Sequence, residues 1–248
     1  MPIAALSANG VCPTCEISMR FCQSCGQPIA SGYLEIDGVG PYCQNCYKNR
    51  PPCDVCGAPL TDDRWLLSDG RTSCAHCHAT AIYSPAQAEA LYKEMREVIA
   101  RLLGLRLNVP TGLALVDRNQ LAEIIRQQVN MPDTLDPDRT LGLYARRGMR
   151  RGIYIQTGLP RKLLLQIAAH EFAHAWQGEN CPLLHDPVLH EGFAEWVSYQ
   201  VMGYYGFTQH QQRMTARSDV YGQGLRRALE LESRNGISGL LEACRMAR

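Results

Sequence analysis

The sequence predicts an α+β protein in two parts: a cysteine-rich ribbon module over residues 1–83, then a compact domain of helices with a small sheet over residues 84–248. Three observations predict it. Ten of the 12 cysteines precede residue 80, as C-x-x-C pairs at 12/15, 22/25, 43/46, 53/56 and 74/77. The middle of this segment repeats with a period of 31 residues, each copy reading C-x2-C-x17-C-x2-C. A repeat that regular marks two copies of one supersecondary unit. From residue 84 the composition changes: only Cys181 and Cys244 remain, and apolar residues recur at helical spacing.

The repeat aligns more than cysteines. Cys22, Cys25, Cys43 and Cys46 map onto Cys53, Cys56, Cys74 and Cys77, Gly26 onto Gly57, Pro28 onto Pro59 and Ile29 onto Leu60. In the second part, Ser84-Pro85 reads as an N-cap with proline at the first helical position, opening a helix to about Leu103. Gly112 to Val116 reads as a short strand and Gln120 to Gln128 as a helix. Thr140 to Ala145 and Gly152 to Gln156 read as strands joined by an Arg-Arg-Gly-Met-Arg-Arg turn region. A helix follows from near Pro160 to near Gly178, and another from Asp186-Pro187 to about Gly203–Gly206. Two more, 222–234 and 237–246, flank Asn235-Gly236.

Charge and hydropathy exclude several classes. The formal net charge is +1, unlike a strong nucleic-acid binder, and residues 1–83 alone are net −2, the wrong sign for gripping phosphates. No apolar run approaches the roughly 18 residues of a membrane span. The first residues lack a basic n-region, so the expectation is a cytoplasmic protein with no nucleic-acid or membrane partner. Without an export signal the cysteine pairs read as metal sites and not disulfides.

Thiolates bind zinc tetrahedrally, and two cysteines two residues apart reach one ion from a tight turn. The simplest assignment is one structural zinc at Cys22, Cys25, Cys43 and Cys46 and a second at Cys53, Cys56, Cys74 and Cys77. Cys12 and Cys15 are left over, either bound to nothing or part of a further site with His76 or His78. The module resembles a LIM domain, and its expected role is contact with a protein partner or orientation of the second domain. It departs from that pattern in having Cys43 where histidine is common, and six residues between its halves where two are usual.

The strongest motif is His170-Glu171-Phe172-Ala173-His174. On a helix the two histidines lie one turn apart on one face, so both imidazoles reach one metal ion. Glu171 projects about 100° round the helix, where it takes a proton from metal-bound water instead of ligating. A hydrolytic zinc site needs a third protein ligand and an open position. The next helix offers Glu191, with Glu195 one turn further on the same face as an outer partner to a ligand histidine. His190 is the serious rival to Glu191, and His185 a weaker one. The extended pattern with a third histidine fails because Gln177 stands where it needs glycine.

Glu191-Gly192-Phe193-Ala194 resembles the signature of the aminopeptidase N family, in which the glutamate ligates zinc. The whole layout resembles the DA-one family of LIM peptidases, plant organ-size regulators with bacterial relatives. That family joins a LIM module to an H-E-x-x-H-A-W peptidase domain, matched here by His170 through Trp176. Its Tyr-Gly-x-Gly-Phe-Arg stretch looks like Tyr221-Gly222-Gln223-Gly224-Leu225-Arg226. The resemblance implies a gluzincin-like metallopeptidase domain behind the LIM-like module, acting on a protein or peptide substrate with one catalytic and two structural zinc ions. The plant members carry ubiquitin-interacting helices, and no ubiquitin dependence is carried over to this chain.

Zinc peptidases usually add a tyrosine or histidine that donates to the developing oxyanion. Tyr221 is the candidate, because the glycines after it permit close approach to the cleft, whereas Tyr204 and Tyr205 sit at a helix end. The Gly152 to Gln156 strand is expected to run along the cleft and pair with an extended substrate. Two other classes compete: a DNA-associated zinc-ribbon metalloprotease, opposed by the acidic module, and a non-catalytic zinc-binding adaptor, opposed by an intact Glu171.

Overall fold

A computed structural model describes residues 19–29, 32–36, 39–127, 137, 140–147 and 150–247. Cys12, Cys15 and Gln128 therefore lie outside the described residues. The chain divides into two compact units between Ala79 and Thr80.

In the first unit each repeat is a knuckle, a hairpin and a short helix. The first hairpin pairs β1 (Tyr33–Ile36) with β2 (Gly40–Cys43) and leads into α1 (Gln44–Asn49). The second pairs β3 (Arg64–Leu66) with β4 (Thr72–Cys74) and leads into α2 (Ala75–Ala79). The repeat extends to the backbone hydrogen bonds. Cys22 N donates to Gln27 O at 2.9 Å and Cys53 N to Ala58 O at 2.7 Å, while Gly26 N and Gly57 N return to Cys22 O and Cys53 O. Both glycines have positive φ, 69° and 75°, which closes the knuckle without a Cβ clash. The module's core is largely its own cysteines, with Tyr42, Ala58 and Leu60. So small an apolar core leaves much of its cohesion to bound metal.

In the second unit, β5 (Ala81–Ile82) pairs with β9 (Leu159–Pro160). Helix α3 (Pro85–Leu103) begins at Ser84, whose hydroxyl accepts from Gln87 N, and ends at Gly104 in the left-handed region. A three-stranded sheet has the order β6 (Gly112–Val116), β8 (Arg150–Gln156), β7 (Gly142–Arg147). β6 runs parallel to β8 and β7 antiparallel. Helix α4 (Arg118–Arg126) starts two residues before the expected Gln120. The reason is a capping box: Asp117 accepts from Gln120 N at 2.8 Å, and Gln120 Oε1 accepts from Asp117 N at 3.0 Å. The arginine-rich stretch expected as a turn is strand at both ends, since Arg146 pairs with Arg151 and Arg147 with Arg150.

Four helices complete the unit: α5 (Arg161–Asn180), α6 (Pro187–Tyr204), α7 (Thr208–Ala216) and α8 (Val220–Met246). The long α8 breaks at Gly236, φ 68°, between the two helices expected on either side of Asn235-Gly236. The short connection from Cys181 to Asp186 folds α6 back beside α5, with Trp176 stacked on Phe193 and Ser198 Oγ bonded to Gln166 O. Phe172, Phe193 and Trp196 form the buried centre with Tyr92 and Met95 from α3.

Helices α6 and α8 approach through a glycine pair. A Cβ on Gly192 would lie 2.4 Å from Gly224 O, and one on Gly224 would lie 2.4 Å from Val188 O. These neighbours are backbone atoms, so neither residue can take a side chain unless the helices part. Gly224→Ala is therefore expected to destabilise the chain by about 1–3 kcal/mol through overpacking, despite alanine's better helix propensity. Urea unfolding checks this, and a variant as stable as the parent would contradict the close crossing.

Candidate metal and hydrolytic centre

Half of the 20 residues of helix α5 are buried, and it lies between sheet on one side and helix on the other. That placement puts the face carrying His170 and His174 at the floor of an open cleft of about 940 Å³. Helix α6 brings Glu191 to the same floor, and His170, His174 and Glu191 offer ligand atoms within 4.8 Å of one another. His170 Nε2 and His174 Nε2 face each other at 3.0 Å, and Glu191 Oε2 lies 3.3 and 3.5 Å from them. Three acceptor atoms converging on one point suit a cation.

The atoms behind these ligands aim them. His170 Nδ1 faces Glu195 Oε1 at 3.2 Å, and the Glu195 carboxylate is nearly buried. His174 Nδ1 lies 2.9 Å from Gln177 Oε1, and Gln177 Nε2 donates to His190 O at 2.8 Å. Burial disfavours a charged His170, yet Glu191 and Glu195 outweigh it and raise the pKa to about 10. Burial likewise works to raise Glu191, but His170, His174 and His190 hold it far below the ordinary carboxylate range. The cluster thus favours positive charge at its centre, which is the demand a divalent cation meets, so the donor set fits zinc.

Glu171 lines the same cleft but is not one of the three converging ligands. Its carboxylate is 8 % exposed and accepts from Tyr144 N on β7 at 2.7 Å. Gly142 makes this approach possible, since a Cβ there would meet Ile167 at 2.2 Å. Tyr221, at the start of α8, has its ring 6.0 Å from the His170 ring, and the Arg217 guanidinium lies over the Tyr221 ring at 4.8 Å. Burial and the Glu191 charge raise the phenol's pKa against the pull of Arg217, which keeps its proton in place. His190 stacks on His174 at 4.5 Å and touches Glu191 through Nδ1, outside the three-ligand group. His185 is exposed.

One placement differs from expectation. Gly152 to Gln156 belongs to β8, which is flanked by β6 and β7 and has both edges occupied. It cannot pair with a substrate. The strand bordering the cleft is β7, whose Gly142, Leu143, Tyr144 and Arg146 line it. The sequence marks Gln177 only as standing where glycine would be needed, although its place three residues after His174 also puts it on the histidine's face.

The cysteine quartets are equally compact. A tetrahedron of zinc–sulfur bonds of about 2.3 Å has edges of about 3.8 Å. Cys25 Sγ and Cys43 Sγ are 4.0 Å apart, and Cys56 Sγ and Cys74 Sγ 3.8 Å. Cys22, Cys25, Cys43 and Cys46 form one group and Cys53, Cys56, Cys74 and Cys77 the other. Burial opposes ionisation of Cys22, but backbone groups of Cys43, Cys25 and Ser24 bring it down to about 6. Burial and neighbouring thiols push Cys46 up to about 12.

Among the described residues no helix is long and apolar enough to cross a membrane. No protein-family model matches the chain, and no solved structure does. Curated relatives do match. Protein DA1-related 2 of Arabidopsis thaliana is 26% identical over 250 residues, covering 72% of this chain and 47% of that protein. Protein DA1 of the same plant is 25% identical over 227 residues, covering 62% and 42%. The LIM domain-containing protein HDR3 of Oryza sativa subsp. japonica is 25% identical over 227 residues, covering 62% and 45%. The chain spans less than half the length of these relatives. With two four-cysteine groups of LIM type, the chain is similar to the DA1 and DA1-related LIM-domain proteins of plants.

Proposed function

We propose that the chain is a zinc-dependent peptidase that hydrolyses peptide bonds in protein substrates, with its LIM-type module serving contact with a protein partner. The observation that carries the reading is the division of labour in the cleft. His170, His174 and Glu191 converge as ligands while Glu171, next in sequence to one of them, is held apart by Tyr144 N. A site that only held structure would have no use for a separately fixed carboxylate. Bound zinc supplies Lewis acidity, polarising a carbonyl and lowering the pKa of water.

The chain's own residues supply the rest. Glu171 receives the Tyr144 N–H at Oε2, which leaves Oε1 to take a proton from the attacking water. The hydroxyl adds to the carbonyl carbon, the C–N bond breaks, and Glu171 passes its proton to the departing amine. The outer edge of β7 presents backbone to an extended substrate, and Leu143, Leu163, Ile167 and Leu184 give the cleft apolar walls. Tyr221 donates its phenol to the oxyanion of the tetrahedral intermediate.

The test of function is to incubate the zinc-loaded chain with an unfolded protein and read new termini by mass spectrometry, before and after chelation. New termini that vanish with chelator and return with zinc support the reading. Their absence in the loaded chain would sink it. For Tyr221→Phe, a lost oxyanion donor costs about 2.7–4 kcal/mol in the barrier, so kcat is expected to fall about 10²–10³-fold with zinc content unchanged. A fall smaller than about tenfold would return Tyr221 to a packing role.

A further inference from the structure

We infer that Gln177 is a positioning residue that fixes the tautomer of His174 and ties together the two helices carrying the metal ligands, an inference that rests on the metal-site reading. Gln177 is 2% exposed, and both ends of its amide are engaged inside the protein. Its Nε2 donates to the carbonyl of His190, an atom that can only accept, so the amide cannot be turned round. Its Oε1 therefore faces His174 Nδ1 at 2.9 Å. An amide oxygen only accepts as well, so Nδ1 must carry a proton. The neutral ring then presents its lone pair from Nε2, the atom facing His170 and Glu191.

The second bond has its own consequence. His190 immediately precedes Glu191, so one side chain connects the second ligand on α5 to the backbone beside the third ligand on α6. The two ligand histidines thus have different neighbours: His170 Nδ1 lies 3.2 Å from the Glu195 carboxylate, and His174 Nδ1 2.9 Å from a neutral amide. A glutamate at 177 would still accept from His174 but would face the His190 carbonyl with a second acceptor, so glutamine alone satisfies both neighbours.

The experiment uses the full chain with zinc in its cysteine sites, in wild type, Gln177→Met and Gln177→Glu. Side-chain nitrogen NMR reads whether His174 has an Nδ1–H protected from water, and a chelator titration reads affinity for the third zinc ion. The wild type should show the protected Nδ1–H, Gln177→Met should lose it with about 10–100-fold weaker binding of the third ion, and Gln177→Glu should recover the protected proton. If Gln177→Met does not fold, Gln177→Glu decides, since loss of the protected proton there overturns the inference. Absence of that proton in the wild type, or its persistence in Gln177→Met, also overturns it. Failure of the metal-site reading would show separately, as a wild type that binds no third ion while its His174 proton behaves as stated.

Discussion

Glu171→Gln is expected to keep its zinc and lose peptide hydrolysis, with turnover falling about 10²–10⁴-fold. The substitution preserves volume, and a glutamine oxygen still accepts the Tyr144 N–H that positions residue 171. None of the three ligand atoms is touched. What disappears is the basic oxygen, and an amide cannot take a proton from water near neutral pH. The measurement is steady-state cleavage of an unfolded protein beside zinc content for both proteins. Parent-like turnover in a fully loaded variant would remove Glu171 from the mechanism.

Removing the third ligand should separate the carboxylate from its neighbours. Glu191→Ala takes away the oxygen 3.3 and 3.5 Å from the two imidazoles, so the third zinc ion should bind more than about 100-fold more weakly, beyond the usual cost of an outer-sphere change. His190→Ala removes a ring that stacks on His174 and should weaken binding less than about tenfold, an outer contact at the low end of that range. His185→Ala should change nothing. Competition with a chromophoric chelator reads all three, with the cysteine-bound ions as internal reference. If His190→Ala strips the ion while Glu191→Ala keeps it, the ligand set is wrong.

Local spacing made some of this architecture legible and left the rest hidden. His170 and His174 share a helix face by arithmetic, and the cysteine repeat carries its register in the chain. Glu191 needed more, because its meeting with His170 depends on how α5 and α6 pack. The expected site of α4 was shifted although Asp117 and Gln120 spell a capping box in plain sequence. The polar helix α7 was not anticipated, since only Met214 of its residues is buried and no apolar periodicity announces it. The expectation that Gly152 to Gln156 runs along the cleft fails for a deeper reason. Whether a strand is central or edge is a property of its neighbours, and no residue within β8 records that β6 will cover its second side. Gly142, Gly192 and Gly224 illustrate the same limit. Each is an ordinary glycine in sequence, and only the assembled fold shows backbone or a branched side chain where a Cβ would go.

The central claim is that a metal held by His170, His174 and Glu191 makes this chain a peptidase, and a stepwise loading experiment tests it most directly. The full chain is prepared with zinc in its two cysteine sites only, then given a third equivalent in small additions while cleavage of an unfolded protein is followed. Cleavage should be absent at two ions per chain, rise in proportion to the added zinc and level off at three. Full activity at two ions, or none at three, would contradict the account.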